Sequence, residues 1–191
     1  MVYHMRRLFG NPTKTGTESI EDWAKRNNGI ITRPRHSPVP PPQFSRAIRW
    51  QTCRDPWQRF QSMYRYLQRH DHQWGKGHIH GHSFQDFLFY WSERRQEFEE
   101  RIRRFKGRKP LSRMQGYDWL CTQTEFRAEY QPNFIVPLSL LKTVLPGLDH
   151  KNAGPKVDLG KDVVLDDVIL GVLKVDSWAR ARRIIRVPPG I

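Results

Sequence analysis

An α/β fold with a central, mostly parallel sheet is predicted by three observations. A short apolar run, a tight turn and an amphipathic helix follow one another twice, at about residues 7–29 and 47–67. A third apolar run at 134–138 is again followed by helical spacing. The chain has 191 residues, of which 37% are hydrophobic and 12% aromatic. That length suits one domain spanning 1–191, and that composition builds a core rather than a disordered tail.

Arg7-Leu8-Phe9 reads as the first strand. Beyond a Gly/Thr-rich turn, Ile20, Trp23 and Ala24 carry a helical period that ends near Asn28-Gly29. Ile30-Ile31-Thr32 reads as a second strand, and Pro38-Val39-Pro40-Pro41-Pro42 as an extended connection. Ala47 to Cys53 mixes β-branched and aromatic residues as a third strand. Asp55-Pro56 then supplies an N-cap and an N1 proline for a helix with Trp57, Phe60, Tyr64 and Leu67 on one face.

Ser83-Phe84-Gln85-Asp86 has the form of a capping box. It opens one helix or two, with Phe84, Phe87, Leu88, Trp91, Phe98, Ile102 and Phe105 on one face up to Gly107. Phe134 to Leu138 is a strand whose proline places it at an edge or at its own end. Leu140 to Leu145 is a short helix stopped by Pro146-Gly147, and a last helix runs from about Leu165 through Val172 toward Trp178. In an open sheet of parallel strands, ligands bind beyond the carboxyl ends of the strands.

The chain holds 33 Lys+Arg against 19 Asp+Glu, a net charge of +14. Such a balance favours an anionic partner, be it phosphate, sulfate, nucleic acid or acidic glycan. Part of the charge is a solvated helix face, as in the alternating Glu93 to Arg101. No run of apolar residues approaches the roughly 20 needed to span a bilayer, and the N-terminal charges precede no apolar segment, so the chain reads as soluble and cytoplasmic. The two cysteines, Cys53 and Cys121, make no disulfide framework and read as reduced and buried.

Two turns carry the chemistry. Asn11 to Ser19 joins a strand to a helix; its small residues let the backbone wrap an anion, Lys14 adds a charge, and Thr15, Thr17 and Ser19 add hydroxyls. Lys14 precedes Gly16, so the segment is not the nucleoside-triphosphatase loop, in which lysine follows glycine. The second turn, Arg54 to Tyr64, places a guanidinium at a strand end and Ser62 in the early turns of the next helix. Read as structure alone, the first is a capped surface turn; in the second, Arg54 pairs with Asp55 or Glu18 and Ser62 packs.

Taken together, the two turns resemble the 3′-phosphoadenosine 5′-phosphosulfate (PAPS)-dependent sulfotransferases, especially their carbohydrate branch. The family's first turn, Pro-Lys-Thr-Gly-X-Thr-Ser, is similar to Lys14-Thr15-Gly16-Thr17-Glu18-Ser19. Its second, Arg-Asp-Pro-X-X-Arg-X-X-Ser-X-Tyr, matches Arg54 through Tyr64 at every fixed position. A weaker likeness to the family's late His-X-Asn segment falls at Leu148 to Asn152. Thr13 intervenes between Pro12 and Lys14, Glu18 replaces a usual threonine, and Phe134 to Leu138 lacks the glutamate often found at its end.

The resemblance implies a three-layer sandwich related to the nucleoside triphosphatases, in which a phosphate-binding strand-turn-helix grips the donor. The 5′-phosphosulfate falls to Lys14, Thr15, Gly16, Thr17, Glu18 and Ser19, and the 3′-phosphate to Arg54 and Ser62. PAPS is then the sulfuryl donor, an acceptor hydroxyl on a glycan or other small molecule the partner, and no metal is needed.

Lys14 suits stabilisation of the departing phosphate oxygen, and His36, just after the second strand, is the candidate base. Otherwise His36 merely orders its proline-rich loop; Glu18 is a second candidate base. The segment His70 to His82 reads as an acceptor-binding loop, with metal chelation by His78, His80 and His82 as the lesser reading. Two rivals remain: a basic nucleic-acid-binding module, which explains the charge but not the ordered turns, and a non-catalytic binder of adenosine 3′,5′-bisphosphate.

Overall fold

The computed structural model describes residues 1–32, 35–69, 81–105, 114, 116–149, 163–180 and, for the backbone alone, 185–186. Among the described residues six strands form one sheet: β1 (Val2–His4), β2 (Arg7–Gly10), β3 (Ile30–Ile31), β4 (Ile48–Cys53), β5 (Phe134–Pro137) and β6 (Ile185–Arg186), in the order β3-β1-β2-β4-β5-β6. The fold class is α/β, but the sheet is mixed rather than mostly parallel. β2, β4 and β5 pair in parallel, whereas β1 pairs antiparallel with both β2 and β3, and β6 antiparallel with β5.

This topology still brings the expected ends together. Two antiparallel pairings in succession return β3 to the direction of β2. The chain therefore leaves β2, β3, β4 and β5 at the same sheet edge, where Asn11, His36, Arg54 and Leu138 follow. Pro137 closes β5 opposite Cys53 of β4, so its missing N–H ends a strand in the sheet interior instead of marking an outer edge.

Among the described residues seven α-helices accompany the strands: α1 (Thr17–Arg26), α2 (Pro56–Arg69), α3 (Phe84–Phe105), α4 (Tyr117–Leu120), α5 (Gln123–Tyr130), α6 (Leu141–Val144) and α7 (Asp167–Val175). Ser83 and Asp86 make the capping box: Asp86 N–H donates to Ser83 Oγ at 3.1 Å, and Ser83 N–H to Asp86 Oδ2 at 3.0 Å. The apolar stripe behind it is one helix, α3, of 22 residues.

Strand alternation sends neighbours to opposite faces of the sheet. Leu8 joins a core of Phe60, Met63, Phe87, Trp91, Phe126 and Ile169 beneath α2, α3, α5 and α7. Phe9 joins Val2, Ile20, Trp23, Val136 and Leu141 beneath α1 and α6. Each such large apolar side chain contributes on the order of 1.5–3 kcal/mol by leaving water. Helices thus cover both faces, and the strand ends between them are left for a site.

α4 and α5 lie in a region without strong apolar period. α5 does carry a local signal, the capping box of Thr122 and Glu125, with Glu125 N–H donating to Thr122 Oγ1 at 3.0 Å and Thr122 N–H to Glu125 Oε2 at 2.8 Å. Both cysteines are free and buried. Among the described residues no helix is long and apolar enough to cross a membrane.

Candidate functional site

A cleft of about 410 Å³ opens at the shared sheet edge, lined by Lys14, Gly16, Thr17, Glu18, Ser19, His36, Arg54 and Ser62 among others. That volume falls in the roughly 300–1,000 Å³ range of small-molecule sites. It brings onto one surface two turns that lie some forty residues apart in sequence.

The first turn is built for close approach. Lys14 has φ 65° and Gly16, the N-cap of α1, has φ 95°. The left-handed region costs a non-glycine residue roughly 1–2 kcal/mol, so Lys14 is held there by its surroundings. At Gly16 a Cβ would stand 2.6 Å from Leu138 Cδ1, so only glycine fits. No side chain caps the start of α1, and its first N–H groups remain available to an anion. Thr17 Oγ1 is buried with no hydrogen-bond partner among the described residues, a cost that an anion accepting its proton would remove.

Thr15, expected among the donor-binding residues, turns away from the cleft. Its N–H and Oγ1 both point back to Pro12 O, at 3.2 and 2.6 Å, and Oγ1 lies 2.8 Å from Thr52 Oγ1. Thr52 in turn donates to Asn11 Oδ1 at 2.8 Å. The residue therefore shapes the turn from inside, because a buried hydroxyl must find partners and here finds them in the neighbouring strand.

Lys14 has no ion pair among the described residues. Its ammonium sits over the Tyr66 ring, 4.1 Å from the centroid, and Tyr66 packs against Trp119 with ring centroids 5.5 Å apart. Burial lowers the Lys14 pKa to about 8; Arg54 and Arg69 push the same way, and Glu18 opposes them. A face of Tyr stabilises the charge, and the Glu18 carboxylate adds a partial counter-charge.

Arg54 is gripped at its backbone. Its N–H donates to Gln123 Oε1 and its carbonyl accepts from Gln123 Nε2, both at 2.8 Å. Its own guanidinium Nε is buried without a hydrogen-bond partner among the described residues. Asp55 is engaged elsewhere, with Arg180 Nε at 2.8 Å and with the N–H of Gln58 at 2.9 Å, where it caps α2. Burial is the main force lowering the Arg54 pKa, followed by the charge of Arg65.

Arg59, a fixed position of the second motif, is fully internal. Its Nε donates to Thr13 O and its Nη2 to Cys121 O, each at 2.9 Å, and Thr13 Oγ1 donates to Asp118 O. The first turn is thereby tied to α2 and α4 through main-chain acceptors.

His36 reaches the cleft with Nδ1 2.9 Å from Asn11 O. A carbonyl only accepts, so Nδ1 carries the proton and Nε2 the lone pair. Burial pushes the His36 pKa below the usual histidine range, against the opposing pull of the Asn11 carbonyl and Asp118. A neutral imidazole with a free Nε2 is able to take a proton. Arg35 beside it is paired with Glu21 at 2.8 Å.

Gln58, Tyr66, Trp119, Leu138 and Ser139 also line the cleft, and neither turn motif names them. The Thr122 capping box is the sequence signal that would have located α5 and hence Gln123. Of the histidine-rich segment, residues 70–80 lie outside the described residues; His82 stands 4.0 Å from Asp86. His150 to Asn152 also lie outside them. Among the described residues no group of three metal-binding side chains occurs.

No protein-family model, curated protein or solved structure matches the chain.

Proposed function

We propose that this protein is a PAPS-dependent sulfotransferase that moves a sulfuryl group to an acceptor hydroxyl on a carbohydrate. The reading is carried by one observation: Lys14, the Gly16–Ser19 helix start, Arg54, Ser62 and His36 line a single cleft. Orphaned donors at Thr17 Oγ1 and Arg54 Nε, one in each turn, fit an anion with phosphate at both ends.

When bound, PAPS supplies an activated S–O bond whose cleavage leaves adenosine 3′,5′-bisphosphate. The chain's residues then divide the work. The α1 N–H groups and Thr17 hold the 5′ end, and Arg54 with Ser62 holds the 3′-phosphate. His36 Nε2 takes the acceptor hydroxyl proton as that oxygen attacks sulfur, a contribution of roughly 10²–10⁴-fold. Lys14 offers positive charge to the departing phosphate oxygen, and its partly desolvated position strengthens that effect. Trp119 and Tyr66 provide flat apolar surface suited to a ring.

The test is transfer of labelled sulfuryl from PAPS to a panel of glycans, alongside the melting temperature in adenosine 3′,5′-bisphosphate. A ligand that binds only the folded state raises the melting temperature by mass action. No shift at millimolar bisphosphate and no labelled acceptor would overturn the proposal. A shift without transfer would leave a bisphosphate binder and remove the enzymatic part.

A further inference from the structure

We infer that Tyr66 is the positioning residue of Lys14: its ring, braced by Trp119, holds the ammonium in the cleft and keeps its charge available to an anion at the start of α1. The inference rests on the proposed function only for the identity of that anion, the 5′ end of the donor.

Neither turn motif contains this contact, since the second ends at Tyr64 and Trp119 lies in α4. Tyr66 closes the row Gln58, Ser62 and Tyr66 that α2 presents to the cleft, spaced four residues apart on one helix face. The Lys14 ammonium sits 4.1 Å from its ring centroid, and the Trp119 ring packs on Tyr66 with centroids 5.5 Å apart. Three ties fix these partners relative to one another. Thr13 Oγ1, next to Lys14, donates to the carbonyl of Asp118, next to Trp119. Arg59 Nε, from α2 itself, donates to Thr13 O at 2.9 Å. Trp91 Nε1, in the core beneath α3, donates to the Trp119 carbonyl at 3.1 Å. Thr13, the residue that intervenes between proline and lysine in the first turn, thus joins that turn to α4.

A lysine stem is flexible and would spread over many rotamers in an open cleft. Lys14 is held instead, and by a ring rather than by an ion pair, of which it has none among the described residues. The difference matters for an incoming anion. A carboxylate in contact neutralises an ammonium and must be displaced, whereas the negative face of a ring attracts the cation and leaves its charge uncancelled. The charges of Arg54 and Arg69 act against the Lys14 ammonium, and Glu18 opposes them. Without the ring the stem is free to swing away from both arginines, and a charge set in place beforehand is lost.

Tyr66→Phe, Tyr66→Leu and Lys14→Met test this, with folding verified by thermal melts and inorganic phosphate as the probe. In wild type and Tyr66→Phe the Lys14 ε-methylene NMR signal is expected upfield of its position in free lysine, because nuclei over a ring face are shielded; Tyr66→Leu returns it. Phosphate affinity is read from the Gly16 and Thr17 amide signals. Tyr66→Leu is expected to weaken it about 2–30-fold, the equivalent of one cation–π contact, and Tyr66→Phe to stay within about twofold of wild type. In the Lys14→Met background Tyr66→Leu is expected to change nothing further, since the two residues act through one contact. An unshifted Lys14 signal, a Phe variant as weak as the Leu variant, a Leu variant as strong as wild type, equal losses with and without Lys14, or no phosphate response in wild type overturns the inference.

Transfer of sulfuryl from PAPS is then measured on the same variants, and Tyr66→Leu is expected to lower kcat by a similar factor while Tyr66→Phe stays close to wild type. If phosphate binding behaves as expected but no protein, wild type included, transfers sulfuryl, Tyr66 still positions Lys14 and the proposed function falls. If transfer occurs and Tyr66→Leu is as fast as Tyr66→Phe, the ring plays no part and the inference falls.

Discussion

Gln123 holds the peptide unit of Arg54 by both of its hydrogen-bonding groups, accepting from the N–H and donating to the carbonyl at 2.8 Å each. The two residues are 69 apart in sequence. Asp176 fixes the other side of Gln123, its Oδ2 accepting from the Gln123 N–H at 2.8 Å while Oδ1 accepts from Thr124 N–H at 2.9 Å. The cleft-lining Arg54 therefore stands on a buried relay from the α7 end through α5 to β4.

Gln123→Leu leaves the Arg54 N–H and carbonyl without their side-chain partner. A loss of about 2–4 kcal/mol in stability is expected, since each orphaned group costs about 1–3 kcal/mol. Gln123→Glu keeps an acceptor for the N–H but buries a carboxylate against the Arg54 carbonyl and close to Asp176, so its loss is expected to be at least as large. Urea denaturation of the two variants checks the order; equal stability of Gln123→Leu and wild type would show the clamp to be idle.

Lys14 makes two pH predictions of opposite direction. Its folded pKa of about 8 lies below the ordinary lysine value of 10.5, so between these values the unfolded chain binds more protons. Stability relative to Lys14→Met therefore rises with pH from about 8 to 10.5, by on the order of 3 kcal/mol in all. Anion binding moves the other way, weakening as the ammonium deprotonates above pH 8. Parallel pH–stability curves for wild type and Lys14→Met would rule out the buried lysine.

His36→Ala is expected to cut turnover about 10²–10⁴-fold, the range of a positioned base, with bisphosphate affinity nearly unchanged. Arg54→Ala does the reverse, raising the Kd of the bisphosphate. Steady-state kinetics paired with calorimetry separate the two; an active His36→Ala variant removes the imidazole from proton transfer.

Arg59→Met buries no new charge but strands two carbonyls, Thr13 O and Cys121 O, that the guanidinium now serves. We expect about 2–4 kcal/mol of destabilisation together with weaker bisphosphate binding, because the first turn loses its tie to α2. If denaturation shows the loss while binding is intact, the turn holds its shape without the tie.

Burial pushes the Cys53 pKa up to about 12 and the Cys121 pKa well above the ordinary thiol value, with Asp176 and Glu125 respectively adding to the effect. The thiolate is the reactive form. Both thiols are expected to resist a disulfide reagent at pH 8 in the folded protein and to react together on unfolding. Labelling at native rates comparable to free cysteine would contradict this burial.

Much of the site was readable from the chain because its parts are local. Pro12 to Ser19 and Arg54 to Ser62 each sit where a strand end meets a helix start, and caps, turns and apolar period are all set by residues within a few positions of each other. The same holds for the Ser83–Asp86 box and the single long face of α3. Strands β1 and β6 were beyond reach, since three and two residues show no period.

Tertiary structure alone decided the rest. It turned β3 antiparallel through β1 while keeping His36 at the common edge, drew the Thr15 hydroxyl inward to Thr52, buried Arg59 as a brace and set Gln123 against Arg54. The physical reason is one and the same: buried polar groups must be satisfied, and their partners lie at whatever sequence distance the packing of helices on the two sheet faces happens to bring close.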